Sequence, residues 1–167
     1  MLQFADLLRE HQSLVYSLAC HALGDRAAAE DLTQEVFLAL YEHLEELESA
    51  EHAKAWLLRV AANRSIDEIR KRRYRRGPPL EAAEPAAEGS QEDEVLRAQV
   101  RRMVARLPAR ARTMIILRYQ EDLGLAEIAR ALDLPVQTVK SRLHRSVNLL
   151  RERMARGLSG VRAGRRV

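Results

Sequence analysis

The side chains best equipped for chemistry in this chain are cations, and they recur at helical spacing. In the stretch PVQTVKSRLHRSVNLL, Val136, Val139, Leu143, Val147 and Leu150 repeat as one face of a helix. That leaves Gln137, Thr138, Lys140, Ser141, Arg142, His144 and Arg145 outside the stripe, on the N-terminal half of the helix. Arg and Lys in such a setting read guanine edges or hold phosphate oxygens. Just upstream, LGLAEIARALDLP gives a short helix with Ile128 and Leu132 facing inward. Ala129 is small enough to let a second helix approach, and Asp133 occupies a turn where Gly is commoner. Buried stripe, turn length and basic face coincide, which predicts a helix-turn-helix whose second helix enters the major groove of DNA. The alternative, a helical hairpin with a solvated basic face, gives no reason for all three to coincide.

A second set lies upstream, on a helix expected from near His52 to about Arg73 and running into RKRRYRR. Arg59, Asn63, Asp67 and Arg70 share one of its faces. Asn pairs with adenine and Arg with guanine or phosphate. Trp56 and Tyr74, at the two ends, offer rings for base stacking. A basic run at a helix end is equally what a solvated tail or a dipole partner looks like. A third segment, DLTQEVFLALYEHL, is an acidic amphipathic helix. DNA repels it, so any function it has is docking to a protein. No catalytic set stands out. Cys20 and His21 are adjacent and point about 100° apart on a helix, so they and His11 read as a buried Cys and two surface His. There is no phosphate-binding Gly-rich loop, no HExxH and no GxSxG. The single Cys excludes an internal disulfide and a Cys-based zinc site. No enzyme activity, metal or cofactor is expected.

The elements that must position these residues are all helices. The chain has 167 residues, with 47% hydrophobic and 31% charged, and few Gly or Pro. No apolar run approaches the length of a membrane span, and the N-terminus lacks a secretory pattern, so a soluble cytoplasmic protein is expected. Charge is segregated. Residues 1–50 carry a net −8, residues 51–76 a net +6, residues 77–96 a net −6 and residues 97–167 a net +12. Two basic blocks separated by acidic ones suggest two contacts with a polyanion and an acidic face used elsewhere. A first helix is expected over 4–22 and a second after the Asp25 N-cap, with Leu32, Val36, Leu40, Leu44 and Leu47 inward. Ser49 caps the third. Gly77-Pro78-Pro79 stops it, and 77–90 reads as a flexible acidic linker. Four further helices follow, with Pro108 at the first position of the second of them and a frayed tail from Gly157. The fold class is all-α: two small helical domains, 1–76 and 91–167, the second containing the helix-turn-helix.

Taken in order, DLTQEVFLALY, AWLLRVAANRSIDEIRKRR, an acidic linker and LPARARTMIILRYQEDLGLAEIARALDLPVQTVKSRLHRSVNLLRE resemble a bacterial RNA polymerase sigma factor. The group is the extracytoplasmic-function (ECF) group of the sigma-70 family, and the resemblance covers about residues 4–154. It implies that residues 1–76 dock on core polymerase and recognise and help melt the promoter −10 element, and that residues 91–167 read the −35 element. Asp31, Gln34 and Glu35 match the surface that docks on the clamp helices of the largest polymerase subunit. The flap is the other polymerase contact. Asn63 and Asp67 match positions that contact −10 bases of the non-template strand, with Arg59, Arg64, Arg70, Lys71, Arg72 and Arg73 on the backbone. Lys140, Ser141, Arg142, His144 and Arg145, flanked by Gln137 and Thr138, match the −35 reading positions. The linker threads toward the RNA exit path. An anti-sigma partner that clamps the two domains is also implied.

The chain departs from the family pattern at three places: LESAEHAK lacks an aromatic residue, Tyr41 stands where Trp is frequent, and Gly124 stands where Ser commonly caps. The implied mechanism is binding without covalent chemistry, since capture of an extruded base offsets the few kcal/mol of unstacking. Two other classes compete. A free-standing helix-turn-helix regulator binds DNA tightly alone, usually as a dimer on a palindrome. A helical interaction module that sequesters a regulator tolerates loss of Lys140, Arg142 and Arg145.

Overall fold

A computed structural model describes residues 2–76 and 91–163, and of 91–92 and 158–163 the backbone only. The acidic linker 77–90 lies outside the described residues. Among them there is no strand. The first bundle is α1 (Phe4–Leu23), α2 (Arg26–Glu42) and α3 (Ala50–Arg76). Gly24 ends α1 in the left-handed region at φ 64°, a conformation Gly adopts without strain. Asp25 then caps α2, its carboxylate accepting the Ala28 N–H at 3.2 Å. After a 3-10 turn, Leu44–Glu46, the Ser49 hydroxyl accepts the His52 N–H at 3.1 Å and starts α3. Leu18, Val36, Leu40 and Leu57 fill the centre. Ala19, Ala22, Ala29, Ala61 and Ala62, all fully buried, let the helix axes close.

The second bundle is α4 (Gln91–Ala105), α5 (Ala109–Ile115), α6 (Leu125–Leu132) and α7 (Val136–Ala163). Pro108 is the N-cap of α5 rather than its first residue, with extended ψ of 146°. α5 changes at Ile116 into a π turn, Ile116–Gln120. The wider turn keeps Ile115, Ile116 and Leu117 all buried. α7 continues through Gly157 to Ala163, past the point where fraying was expected.

The bundles are not separate. α3 packs against both α5 and α6, and α1 against the π turn. Leu107, Met114, Leu117 and Ile128 join Leu18, Leu40 and Leu57 in one continuous apolar cluster. His11, expected at the surface, is buried in the first bundle at 4% exposure, because it falls on the same α1 stripe as Leu7, Val15 and Leu18.

Candidate nucleic-acid and polymerase interfaces

The helix-turn-helix is built from its caps inward. Glu127 reaches back from the first turn of α6 to accept the Gly124 N–H at 3.0 Å. The turn ends in Asp133, left-handed at φ 53°, and the Leu134 N–H closes it on the Ala129 carbonyl at 3.0 Å. Ile128, Leu132, Val139 and Leu143 bury the α6–α7 seam. Val136 does not join them. It stands 46% exposed.

This packing leaves Gln137, Lys140, Arg142, His144 and Arg145 exposed on one face. No carboxylate among the described residues pairs with Lys140, Arg142 or Arg145. His144 is 3.1 Å from Asn148 through Nε2. Thr138 and Ser141 are half-buried, and the Ser141 hydroxyl is spent on the Thr138 carbonyl at 3.1 Å. The face that results is cationic and has no carboxylate partner among the described residues, the charge state a phosphate backbone requires.

On α3 the predicted residues divide into two groups. Asn63, Asp67, Arg70 and Lys71 are exposed, with no side-chain partner among the described residues. The other four have protein partners. Arg64 pairs with Glu35 at 2.6 Å, and Arg59 with Asp133 of the α6–α7 turn at 3.6 Å. Arg72 holds Asp25 at 3.2 Å and Glu68 at 2.9 Å. The carboxyl of Asp25 lies below the usual carboxylate range, first through the Ala28 N–H and then through Arg72. Arg73 donates to the carbonyls of Ala105, at 3.0 Å, and Leu107. Tyr74 is 94% exposed, whereas Trp56 is half-buried and packs its ring against His43 at 5.6 Å.

On α2, Asp31, Gln34 and Glu35 are exposed along one stripe. The stripe continues at helical spacing through Leu38 and Tyr41, 60% and 65% exposed. Leu38 was missed from sequence. Its signal was that it falls outside the inner stripe yet is apolar.

Between the bundles, Lys54 meets Glu127 at 3.2 Å and Glu51 meets Arg130 at 3.9 Å. The Ser17 hydroxyl donates to Glu121 at 2.6 Å. The Glu127 carboxyl is held below its usual range by the Gly124 N–H first and Lys54 second. Among the described residues no group of His, Cys, Asp and Glu is placed to hold a metal ion, and no helix is long and apolar enough to cross a membrane.

Comparison with known proteins agrees with this geometry. Residues 7–75 match the family described as Sigma-70 region 2, and residues 97–150 match Sigma-70, region 4. The chain is similar to the ECF RNA polymerase sigma factor SigW of Bacillus subtilis, with 32% identity over 90% of this chain and 88% of that one. It is also similar to SigL of Mycobacterium tuberculosis, with 37% identity over 87% and 85%. Among solved structures, the sigma factor RpoE in complex with the anti-sigma factor NepR from Bartonella quintana shares the fold. Its TM-score is 0.71 at 24% identity, covering 89% of this chain and 94% of that one. CnrH in complex with the cytosolic domain of CnrY shares it at TM-score 0.66 and 21% identity, covering 91% and 87%. The chain belongs to the extracytoplasmic-function group of the sigma-70 family of RNA polymerase sigma factors.

Proposed function

We propose that three faces divide the work of directing core RNA polymerase to promoters. The acidic α2 stripe of Asp31, Gln34 and Glu35, extended by the exposed Leu38 and Tyr41, docks on the clamp helices of the largest subunit. The α3 face of Asn63, Asp67, Arg70 and Lys71 takes −10 bases and their backbone. The α7 face of Gln137, Thr138, Lys140, Arg142, His144 and Arg145 enters the major groove at the −35 element. Residues 1–76 and 91–167 are the two working domains, and the protein acts in the cytoplasm. The observation that carries this reading is the cationic face on α7, without a carboxylate partner among the described residues, in a chain that matches both sigma regions in order.

Arg73 holds carbonyls of the second bundle, so its use on −10 phosphates requires the bundles to separate, whereas Arg59 has only an exposed pair with Asp133 to exchange. The α2 stripe is open in the closed arrangement, so polymerase docking comes first and separation follows. One solved neighbour, RpoE, is a sigma factor bound to the anti-sigma factor NepR. We infer a partner of that kind here, acting by holding the closed arrangement.

Run-off transcription with purified core polymerase tests the reading. Discrete start sites with asymmetric −35 and −10 elements are expected, and they disappear when Lys140, Arg142 and Arg145 are replaced by Ala. Core polymerase that neither binds the protein nor gains start-site selection overturns it.

A further inference from the structure

A cavity of about 710 Å³ lies between the two bundles, and none of the three faces uses it. Tyr16 and Cys20 of α1 line one side. Val104 of α4 and Ile116 of the π turn line the other. Three arginines line the cavity, the exposed Arg26 and the more buried Arg101 and Arg112. Arg112 is only 7% exposed. Its guanidinium makes one long hydrogen bond, 3.5 Å to the His21 carbonyl, and its Nε has no partner. No carboxylate among the described residues pairs with it. Arg101 forms a long ion pair with Glu94 at 3.7 Å, and its Nη2 makes no hydrogen bond. Asp25, also at the cavity, is taken by Arg72. Burial lowers the Arg112 pKa to about 10, and Arg73 and Arg72 push the same way. The group is therefore a buried cation at neutral pH. Buried cations are ordinarily paired.

We propose that this cavity binds a small amphipathic carboxylate, with its acid group on Arg112 and Arg101 and its apolar body against Val104, Ile116 and Cys20. Carboxylate and guanidinium match in charge and in paired hydrogen-bond geometry. Size favours a small molecule over a partner's helix. Two turns of helix, about 10 Å across and about 11 Å long, fill roughly 850 Å³. The cavity is smaller than that but lies within the range that takes small ligands. An occupant touches both bundles, so its binding adds to their closure. The inference rests on the closed arrangement and not on promoter recognition.

Isothermal titration of the full chain with octanoate, with 1-octanol as the uncharged control, tests it. Octanoate is expected to bind one to one, roughly tenfold tighter than octanol, as a charge-assisted pair requires. Arg112→Met is expected to abolish that tenfold difference and leave octanol binding unchanged. Arg101→Met, at the less buried cation, reads the same pairing if the first variant fails to fold. Cys20→Phe fills the cavity, keeps both cations and is expected to weaken both ligands. Equal binding of octanoate and octanol, undiminished octanoate binding by Arg101→Met, or no octanoate binding at millimolar concentration overturns the proposal.

Discussion

Replacing Lys54 by Met, Glu127 by Gln, and then both, measures how strongly the two bundles hold each other. The substitutions are chosen to remove charge alone. Met keeps the apolar stem of Lys54, and Gln keeps an oxygen for the Gly124 N–H that caps α6. At 3.2 Å, Coulomb attraction is about 5 kcal/mol at an effective dielectric of 20 and about 1.3 kcal/mol in bulk water. The side chains are 40% and 32% exposed, so solvent screens the pair toward the lower figure. Ordering two long side chains reduces it further, and a coupling of about 0.5–1 kcal/mol is expected. Glu127→Gln alone costs more than Lys54→Met alone, because a neutral acceptor caps less well than a charged one. Urea unfolding, followed by circular dichroism and by Trp56 fluorescence, reads all four corners of the cycle. One shared transition is expected, with the coupling roughly halved in 1 M salt. Zero coupling at low salt, or two transitions of which each variant shifts only one, refutes the view that the bundles close on each other in solution.

Three further outcomes follow from local geometry. Asp133→Gly relieves a left-handed non-glycine residue that costs about 1 kcal/mol. It gives up only a solvent-exposed pair with Arg59, so thermal unfolding is expected at a higher temperature. Acid stability declines in two stages. His11 is held below 6.5 by burial, with Glu10 raising it and Lys54 lowering it, so the unfolded chain takes up a proton first and stability falls as pH drops below 6.5. Asp25 and Glu127, both lowered, contribute fully above their unfolded values near 4 and lose that contribution as pH falls through the lowered ones. His11→Gln is expected to remove the first stage alone in a pH series of urea midpoints. Lys140→Ala is expected to weaken promoter binding by the polymerase complex and to reduce its salt slope by about one unit if it holds a phosphate, which a filter-binding salt series reads.

Periodicity carried most of the fold. Ile128, Leu132, Val139 and Leu143 announced the helix-turn-helix, and Asp25 and Ser49 announced two helix starts, because these signals are local to a few turns of chain. His11 reads as a surface residue by its type, but its place on the α1 stripe buries it. Val136 has the right spacing but stands exposed, since periodicity does not say where a neighbouring helix stops. Arg72 and Arg73 stand in a basic run, and in the closed arrangement Asp25, Glu68 and two carbonyls hold them, contacts that a basic run does not announce. Lys54 meets Glu127 across 73 residues and Ser17 meets Glu121 across 104, separations at which no pattern in a single sequence links the partners.

The hydrogen bonds of Arg73 have a consequence for α4. The last carbonyls of any helix lack intrahelical donors. Those of Ala105 and Leu107, at and just beyond the end of α4, receive theirs from a side chain of α3. Separating the bundles withdraws that donor and leaves the C-terminal turn of α4 easier to open. Deuterium uptake by the amides of Ala105, Arg106 and Leu107 should therefore track separation of the bundles and slow wherever closure is reinforced. Secondary structure in one half of the chain thereby becomes a readout of the position of the other.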